Sequence, residues 1–347
     1  MMHLDTLLKP SLRFAFALFM LCGLVPVFTP AHALEPVTFA TDWKAQAEQG
    51  GFYQAKALGL YRRAGLDVTL RGGGPGVNIA QLLGAGAIDF GMGSNSFIPL
   101  NMVRAGVPAK AVMAAFQKDP QVLITHPRTD VQSLADIKGK PVMIADASAN
   151  AFWVWLKAKY DFSDRQIRKY TFNLAPFLVD KSAIQQGYVT SEPYTIETRG
   201  GVNPQVFLLS DYGYPSYAAM VLAQNRMIIE QPEIVQAFVN ASIEGWRSYI
   251  YGDPTPGNKL ILQANPDMTQ DIIDQAIEQI RERGMLLPSA SQAGQGTSGM
   301  GTSGMGTMSE ARWQSFFTTM SENGVYSKRL NWRDAFTTRF VQQGASR

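Results

Sequence analysis

Val37-Thr38-Phe39-Ala40-Thr41, residues 51–64 and Leu66-Asp67-Val68-Thr69-Leu70 are the stretches whose reading decides the fold. The first alternates in the manner of a half-buried strand. The second sets Phe52, Ala55, Leu58 and Leu60 or Tyr61 along one side of a helix, and the third returns to strand character. Strand, helix and strand at such short intervals mark an α/β layer architecture.

The alternation continues outward. A glycine-rich turn, Arg71-Gly72-Gly73-Gly74-Pro75-Gly76, leads into a short helix over 78–83. A strand over 88–92, a helix over 97–104 and strands over 109–116 and 121–125 follow. A second unit starts near His126, with a short helix and turn over 134–141, a strand over 142–145 and an aromatic-rich helix over 151–160. A strand over 169–172, a helix over 181–186 and strands over 206–209 and 217–223 then carry the chain back. Beyond Pro232 the pattern is helical only. Ile234, Val235, Phe238 and Ala241 form one stripe; Asp267 and Gln270 read as a capping pair before the face Ile273, Ala276, Ile277 and Ile280.

The expected organisation is therefore an export signal over 1–33, a first lobe over 34–125, a second lobe over 126–215 and a helical return to the first lobe over 216–288. Residues 289–308, rich in Gly, Ser, Thr and Met, have neither period nor apolar mass and read as a flexible loop. A C-terminal helical segment covers 309–347, with Trp313, Phe316, Phe317 and Met320 on one face.

Composition bounds the function. Lys9 and Arg13 precede an apolar run over 14–25, and Ala31-His32-Ala33 supplies the small-x-small site of a signal peptidase, so cleavage is expected after Ala33. That run is too short for a permanent membrane anchor. The only cysteine, Cys22, lies inside it, so the exported chain would hold no disulfide, thiolate metal site or cysteine nucleophile. An exported chain without cysteine suits the bacterial periplasm. Without residues 1–33 the formal charge is +2 and His126 is the sole histidine. Such a neutral chain has no electrostatic footprint for nucleic acid, and a lone histidine makes no metal site. No cofactor is expected.

Asp42-Trp43 and Ala47-Glu48-Gln49-Gly50-Gly51-Phe52-Tyr53-Gln54-Ala55 carry a more specific signal. So do Gly59-Leu60-Tyr61, Gly65-Leu66-Asp67-Val68, Gly84-Ala85-Gly86-Ala87-Ile88-Asp89-Phe90-Gly91, residues 134–141, and the segment Gln185-Gln186-Gly187-Tyr188-Val189-Thr190-Ser191-Glu192-Pro193-Tyr194. In this order, over roughly residues 36–283, the chain resembles the periplasmic binding proteins for thiamine-pyrimidine precursors, alkanesulfonates and nitrate. The aromatic opening and the Gln-Gly-Tyr-x-x-Ser-Glu-Pro segment resemble the pyrimidine-binding branch. The resemblance implies a type II periplasmic-binding fold, with two α/β lobes and a ligand cleft at the hinge. It also implies a monomer that hands its ligand to the membrane permease of an ABC importer.

Ligands of open α/β sheets sit beyond the carboxyl ends of the strands. That rule selects the loops over 42–53, 71–78, 93–97 and 146–153, together with Phe172-Asn173 and residues 188–192. Flat rings there favour a planar heterocycle, while carboxylates and amides can hydrogen-bond its ring substituents. The candidate ligand-binding residues are Trp43, Glu48, Tyr53, Asn95, Phe116, Asn173, Tyr188 and Glu192. Phe116 also has the spacing of a core residue. Trp153 and Trp155, two apart on a helix, cannot both face the cleft.

Competing readings remain. Gly72-Gly73-Gly74 and Gly93-Ser94-Asn95-Ser96 precede helices and could cradle a sulfonate or nitrate, with Lys44 and Arg71 as its basic partners. A pyrimidine-synthase-like enzyme would use a lysine-bound cofactor, a histidine and a cysteine-rich motif, whereas the exported chain would hold no cysteine and one histidine, so no catalysis is expected. A sensor that presents ligand to a membrane receptor would use the same fold.

Overall fold

The computed structural model describes residues 33–287 and 304–341. The expected export signal and the greater part of the 289–308 tract lie outside the described residues. Ten strands build two five-stranded sheets. The first contains β1 (Glu35–Ala40), β2 (Leu66–Arg71), β3 (Phe90–Gly93) and β4 (Ala109–Phe116). The second contains β5 (Gln121–Thr125), β6 (Val142–Ile144), β7 (Ile167–Lys169), β8 (Ile184–Tyr188) and β9 (Gln205–Leu208). The chain then returns to the first sheet as β10 (Ala218–Gln224). The strand orders are β2-β1-β3-β10-β4 and β7-β6-β8-β5-β9.

The two sheets share one constructional rule. β1 runs parallel to β2 and β3, and β6 parallel to β7 and β8. The strand that has just arrived from the other lobe is antiparallel to both its neighbours: β10 lies between β3 and β4, and β5 between β8 and β9. The result is the expected type II periplasmic-binding architecture, two α/β lobes joined by two chain crossings.

Several boundaries differ from the sequence reading. The first crossing is Gln117-Lys118-Asp119-Pro120, ahead of β5 and not after it, because β5 hydrogen-bonds into the second sheet. The expected helix over 181–186 is instead the strand β8, since Gln185 and Gln186 lie fully inside a sheet between β5 and β6. The long helix of 51–64 is two, Gly50–Ala57 and Leu60–Arg63, separated by Gly59 with φ 67°. The 169–172 strand lies earlier, at Ile167–Lys169. Asp267 does not cap the helix Gln270–Glu282, whose N-cap position is Thr269; its carboxylate pairs with Lys44 at 2.7 Å. The last residues of the Gly/Ser/Thr/Met tract are built into the protein. Met305 and Met308 are buried, and the Gly306 carbonyl accepts the Ala114 N–H.

The first lobe is organised by the helix Pro232–Tyr251. Phe238 stacks on Phe90 at 4.3 Å and meets Phe39 at 5.3 Å and Tyr61 at 5.1 Å. The same helix crosses Gly50–Ala57 so closely that no side chain fits between them. A Cβ on Gly50 would lie 2.0 Å from the Tyr249 ring, and one on Gly51 2.2 Å from the Trp246 ring. Inside this crossing Gln54 is fully bonded: its amide donates to Ser248 Oγ and the Asp253 carbonyl and accepts the Gly257 N–H. Thus Gly50-Gly51 sets an interhelical distance, and that distance holds the loop before it in place.

Both crossings meet at one side chain. Arg312, on the helix Glu310–Glu322, donates to the carbonyl of Gln117 in the first crossing and to those of Pro215 and Ser216 in the second. Its guanidinium also lies 3.9 Å from the Tyr217 ring centre. Gln117 Nε2 further binds the Thr307 carbonyl, and Ser309 N–H donates to the Tyr217 hydroxyl. Among the described residues, no helix is long and apolar enough to cross a membrane.

Two stability outcomes follow. Gly51→Ala drives a methyl group into Trp246 and should cost about 1–3 kcal/mol in urea denaturation. Arg312→Ala leaves carbonyls of both crossings unpaired and should cost roughly 2–4 kcal/mol; an unchanged midpoint would contradict the clamp.

Candidate functional site

The loops after β1 and β3 in one lobe meet the loops after β7 and β8 in the other. Trp43 and Phe172 face each other across this line with ring centres 4.6 Å apart and planes at 51°. Phe172 in turn lies 5.2 Å from Tyr170. The Phe172 backbone adopts φ 61°, a left-handed conformation that is costly for a bulky residue and tends to persist at functional sites. It leaves the ring 41% exposed, unlike most large apolar side chains of this protein.

Trp43 is positioned by the glycine-rich turn. The Gly73 N–H donates to the Trp43 carbonyl at 3.0 Å, and Thr41 Oγ1 donates to the same oxygen at 2.7 Å. A Cβ at Gly73 would sit 2.2 Å from the Thr41 carbonyl oxygen, so glycine is required there. The turn that could have cradled an anion is thus a brace for the tryptophan loop.

Beside the rings is a cluster of acids. Asp42, at the end of β1, accepts the Ser94 hydroxyl on Oδ2, while Oδ1 is buried with no hydrogen-bond partner. Burial pushes its pKa up to about 6, against the hydrogen bond from Ser94. Glu192 opens the helix Glu192–Gly200. Its Oε2 accepts the Tyr188 N–H at 2.8 Å and its Oε1 faces the Tyr170 hydroxyl at 3.5 Å. Burial raises it to about 7. Asp119, in the first crossing, accepts the Gln121 N–H and is raised by burial to about 7, although the Arg312 charge opposes the shift. Glu48 is 3% exposed, accepts the Thr190 hydroxyl from the opposite lobe and is also raised by burial.

Tyr188 is the common neighbour. Burial first, and then Asp119, Asp42, Glu48 and Glu192 together, push its pKa well above the usual phenol range. Its hydroxyl therefore stays protonated and available as a donor. The wall combines opposed rings, one phenol donor and a carboxylate, Asp42, with one oxygen short of a donor. A planar ligand carrying N–H groups answers each of these needs.

The sequence candidates separate into two groups. Trp43, Glu48, Tyr188 and Glu192 come together here. Asn95 lies in the loop after β3, but its Oδ1 is occupied by the Phe97 N–H. Asn173 is exposed and caps the Ala175 N–H. Phe116 is a core residue, 1% exposed and 5.3 Å from Trp246. Tyr53 is 5% exposed and opens onto a separate cavity in the first lobe. Trp153 and Trp155 are both buried, the former donating to Asp164. His126 binds the Phe177 carbonyl and stacks on its ring. Among the described residues, no group of three or more His, Cys, Asp or Glu is arranged to hold a metal. The sequence reading missed Asp119 and Tyr170, and it selected the Phe172-Asn173 loop without naming the Phe172 ring among the ligand-binding candidates. Asp119-Pro120 between two strongly apolar strands was the available signal.

Comparison with known proteins gives a consistent picture. A family model described as NMT1/THI5 like matches residues 46–255. The riboflavin-binding protein RibY of Chloroflexus aurantiacus is 25% identical over 254 residues, 70% of this chain and 71% of that protein. A formylaminopyrimidine-binding protein of Halalkalibacterium halodurans is 23% identical over 273 residues, 76% and 82% of the two chains. Among solved structures, the periplasmic aliphatic sulphonate binding protein SsuA of Escherichia coli shares the fold with a TM-score of 0.64. It is 14% identical, covering 87% of this chain and 92% of that one.

The raised carboxyls set a pH dependence. Asp42, Asp119 and Glu192 hold protons in the folded state to higher pH than in the unfolded chain. The folded state then binds more protons between the ordinary carboxylate range and about pH 7, so stability falls as pH rises through that window. Ligand-free protein should melt at lower temperature at about pH 8 than at about pH 5.5, and Glu192→Gln should reduce the difference. A melting temperature that rises across the window would contradict these assignments.

Proposed function

The chain belongs to the NMT1/THI5-like family, and from that premise we propose that it is an extracytoplasmic solute-binding protein of an ABC importer. Its cargo is a small planar nitrogen heterocycle, a thiamine pyrimidine precursor of the aminopyrimidine class. It releases that cargo to a membrane permease and performs no chemistry on it.

The observation that carries this reading is the pairing of rings and acids across the lobe boundary. Trp43 and Phe172 approach from opposite lobes beside Glu192 and the unpaired Asp42 Oδ1. Closing the lobes over a flat ring would stack it on the aromatics, and its amino groups would donate to the carboxylates. The relatives named for formylaminopyrimidine and riboflavin both bind nitrogen heterocycles, which supports the class. The export signal read from the first 33 residues supports a periplasmic site of action.

Sulfonate or nitrate binding is the weaker reading. The cleft wall presents Asp42, Glu48, Asp119 and Glu192, and wherever these ionise they repel an anion. Lys44, one of the two basic residues considered for it, is instead paired with Asp267.

A ligand panel tests the proposal. Formylaminopyrimidine, a hydroxymethyl aminopyrimidine, riboflavin, taurine and nitrate are titrated against the purified protein by calorimetry. The aminopyrimidines should bind, Trp43→Ala should weaken them by about tenfold or more through lost stacking, and Glu192→Gln by about tenfold. Binding of riboflavin alone would keep the heterocycle class and overturn the pyrimidine; binding of taurine or nitrate alone would overturn both.

A further inference from the structure

Three of the residues that suggested an anion site, Lys44, Gly72 and Gly73, line a cavity distinct from the acidic cleft. It has a volume of about 550 Å³ in the first lobe, between the helices Gly50–Ala57 and Thr255–Ala264 and the end of β2. Lys44, Lys56, Tyr53, Gly72 and Gly73 line it, with Leu70, Leu260 and Ala264 as apolar wall. The volume is in the range of small-molecule sites.

Tyr53 adds a hydroxyl donor to this wall. Its ring is packed into the lobe, the residue being 5% exposed, while its hydroxyl bonds no described residue and keeps contact with the open space of the cavity. Two ammonium groups share the cavity with it. Lys44 Nζ gives one bond to Asp267 and Lys56 Nζ gives one to the Val68 carbonyl, so each retains donors. Against two cations the rim carries the single carboxylate of Asp267. The balance favours a singly charged anion.

We propose that this cavity is a second binding site, for a small organic anion: a carboxylate or sulfonate carrying a short apolar body. The acid group lies among the Lys44 and Lys56 ammonium groups and the Tyr53 hydroxyl, and the alkyl part lies on Leu70, Leu260 and Ala264. The site is independent of the heterocycle cleft. The loop that carries Trp43 separates them, with Asp42 and Trp43 toward the cleft and Lys44 and Ala45 toward the cavity.

Butane-1-sulfonate, butyrate and butylamine are the probes, titrated into the purified protein by calorimetry up to about 10 mM. Both anions should bind and butylamine should not. Lys44→Gln combined with Lys56→Gln should weaken the anions at least tenfold, and Tyr53→Phe severalfold. Melting curves of these variants check that they remain folded, as expected for two exposed lysines and an isosteric ring. Three results would overturn the site: no binding of either anion, binding that survives the lysine replacements, or binding that strengthens in Glu192→Gln. The last would put the anion in the acidic cleft. Failure of the aminopyrimidine panel would leave this test unaffected, because no readout in it involves a heterocycle.

Discussion

Two lobes can enclose a ligand reproducibly only if the segments joining them are fixed relative to each other, and here that constraint rests on Arg312. One planar guanidinium donates to backbone carbonyls of both crossings. A lysine could not do this, because its ammonium lacks the rigid fork that reaches several acceptors in one plane. The helix that carries Arg312 is seated by Trp313, Phe316 and Met320, all fully buried. The crossings are thus tied to a packed element outside both sheets. Asp119 sits in the first crossing within electrostatic reach of Arg312 and is raised all the same, so its burial outweighs the nearby positive charge.

The clamp sets the position of the acids, and their burial gives the cleft its chemistry. Carboxylates buried around one phenol are costly to ionise, and each raised pKa expresses that burial; at Glu192 the nearby Glu48 adds to it. Glu48 is the clearest case. It belongs to the first lobe and its partner Thr190 to the second, so the contact exists only while the lobes are together. Tyr194 and Asp271 make a similar contact at 3.0 Å on the exposed rim. A ligand with N–H donors relieves the cost by supplying the partners that Asp42 lacks; an anionic ligand increases it.

Much of this was legible in the sequence because two of its rules are local. Strand alternation located β1, β4, β5 and β10 nearly to the residue, the position of a loop after a strand pointed to Trp43, and the family resemblance pointed to Tyr188 and Glu192. The failures have physical causes outside the reach of local pattern. β8 reads Ile-Gln-Gln-Gly-Tyr, which has no strand signal. Gln186 is satisfied by the Ala145 N–H at 2.7 Å, whereas both amide atoms of Gln185 are buried without a hydrogen-bond partner. Gly50-Gly51 looked like a loop feature, whereas its meaning lies in Tyr249 and Trp246, almost two hundred residues away. The end of the Gly/Ser/Thr/Met tract looked structureless, yet Met305 and Met308 fill the core through contacts made only in the folded chain. Asp42 stood beside Trp43 in the motif, but nothing local showed that one of its oxygens would be left without a donor.

The same fold serves sulfonate-binding proteins, so architecture alone does not choose a ligand. In this chain the choice is made by which side of one loop each residue occupies. Gly73 holds the loop against Thr41 so tightly that only glycine fits, and this fixes Asp42 and Trp43 toward the second lobe while Lys44 turns to Asp267. Had the register of this loop been shifted by one residue, the cleft would have received an ammonium group in place of a ring, beside Glu192. The Gly73 N–H to the Trp43 carbonyl thus helps fix which side chains of this one loop face the cleft and which face the outer cavity.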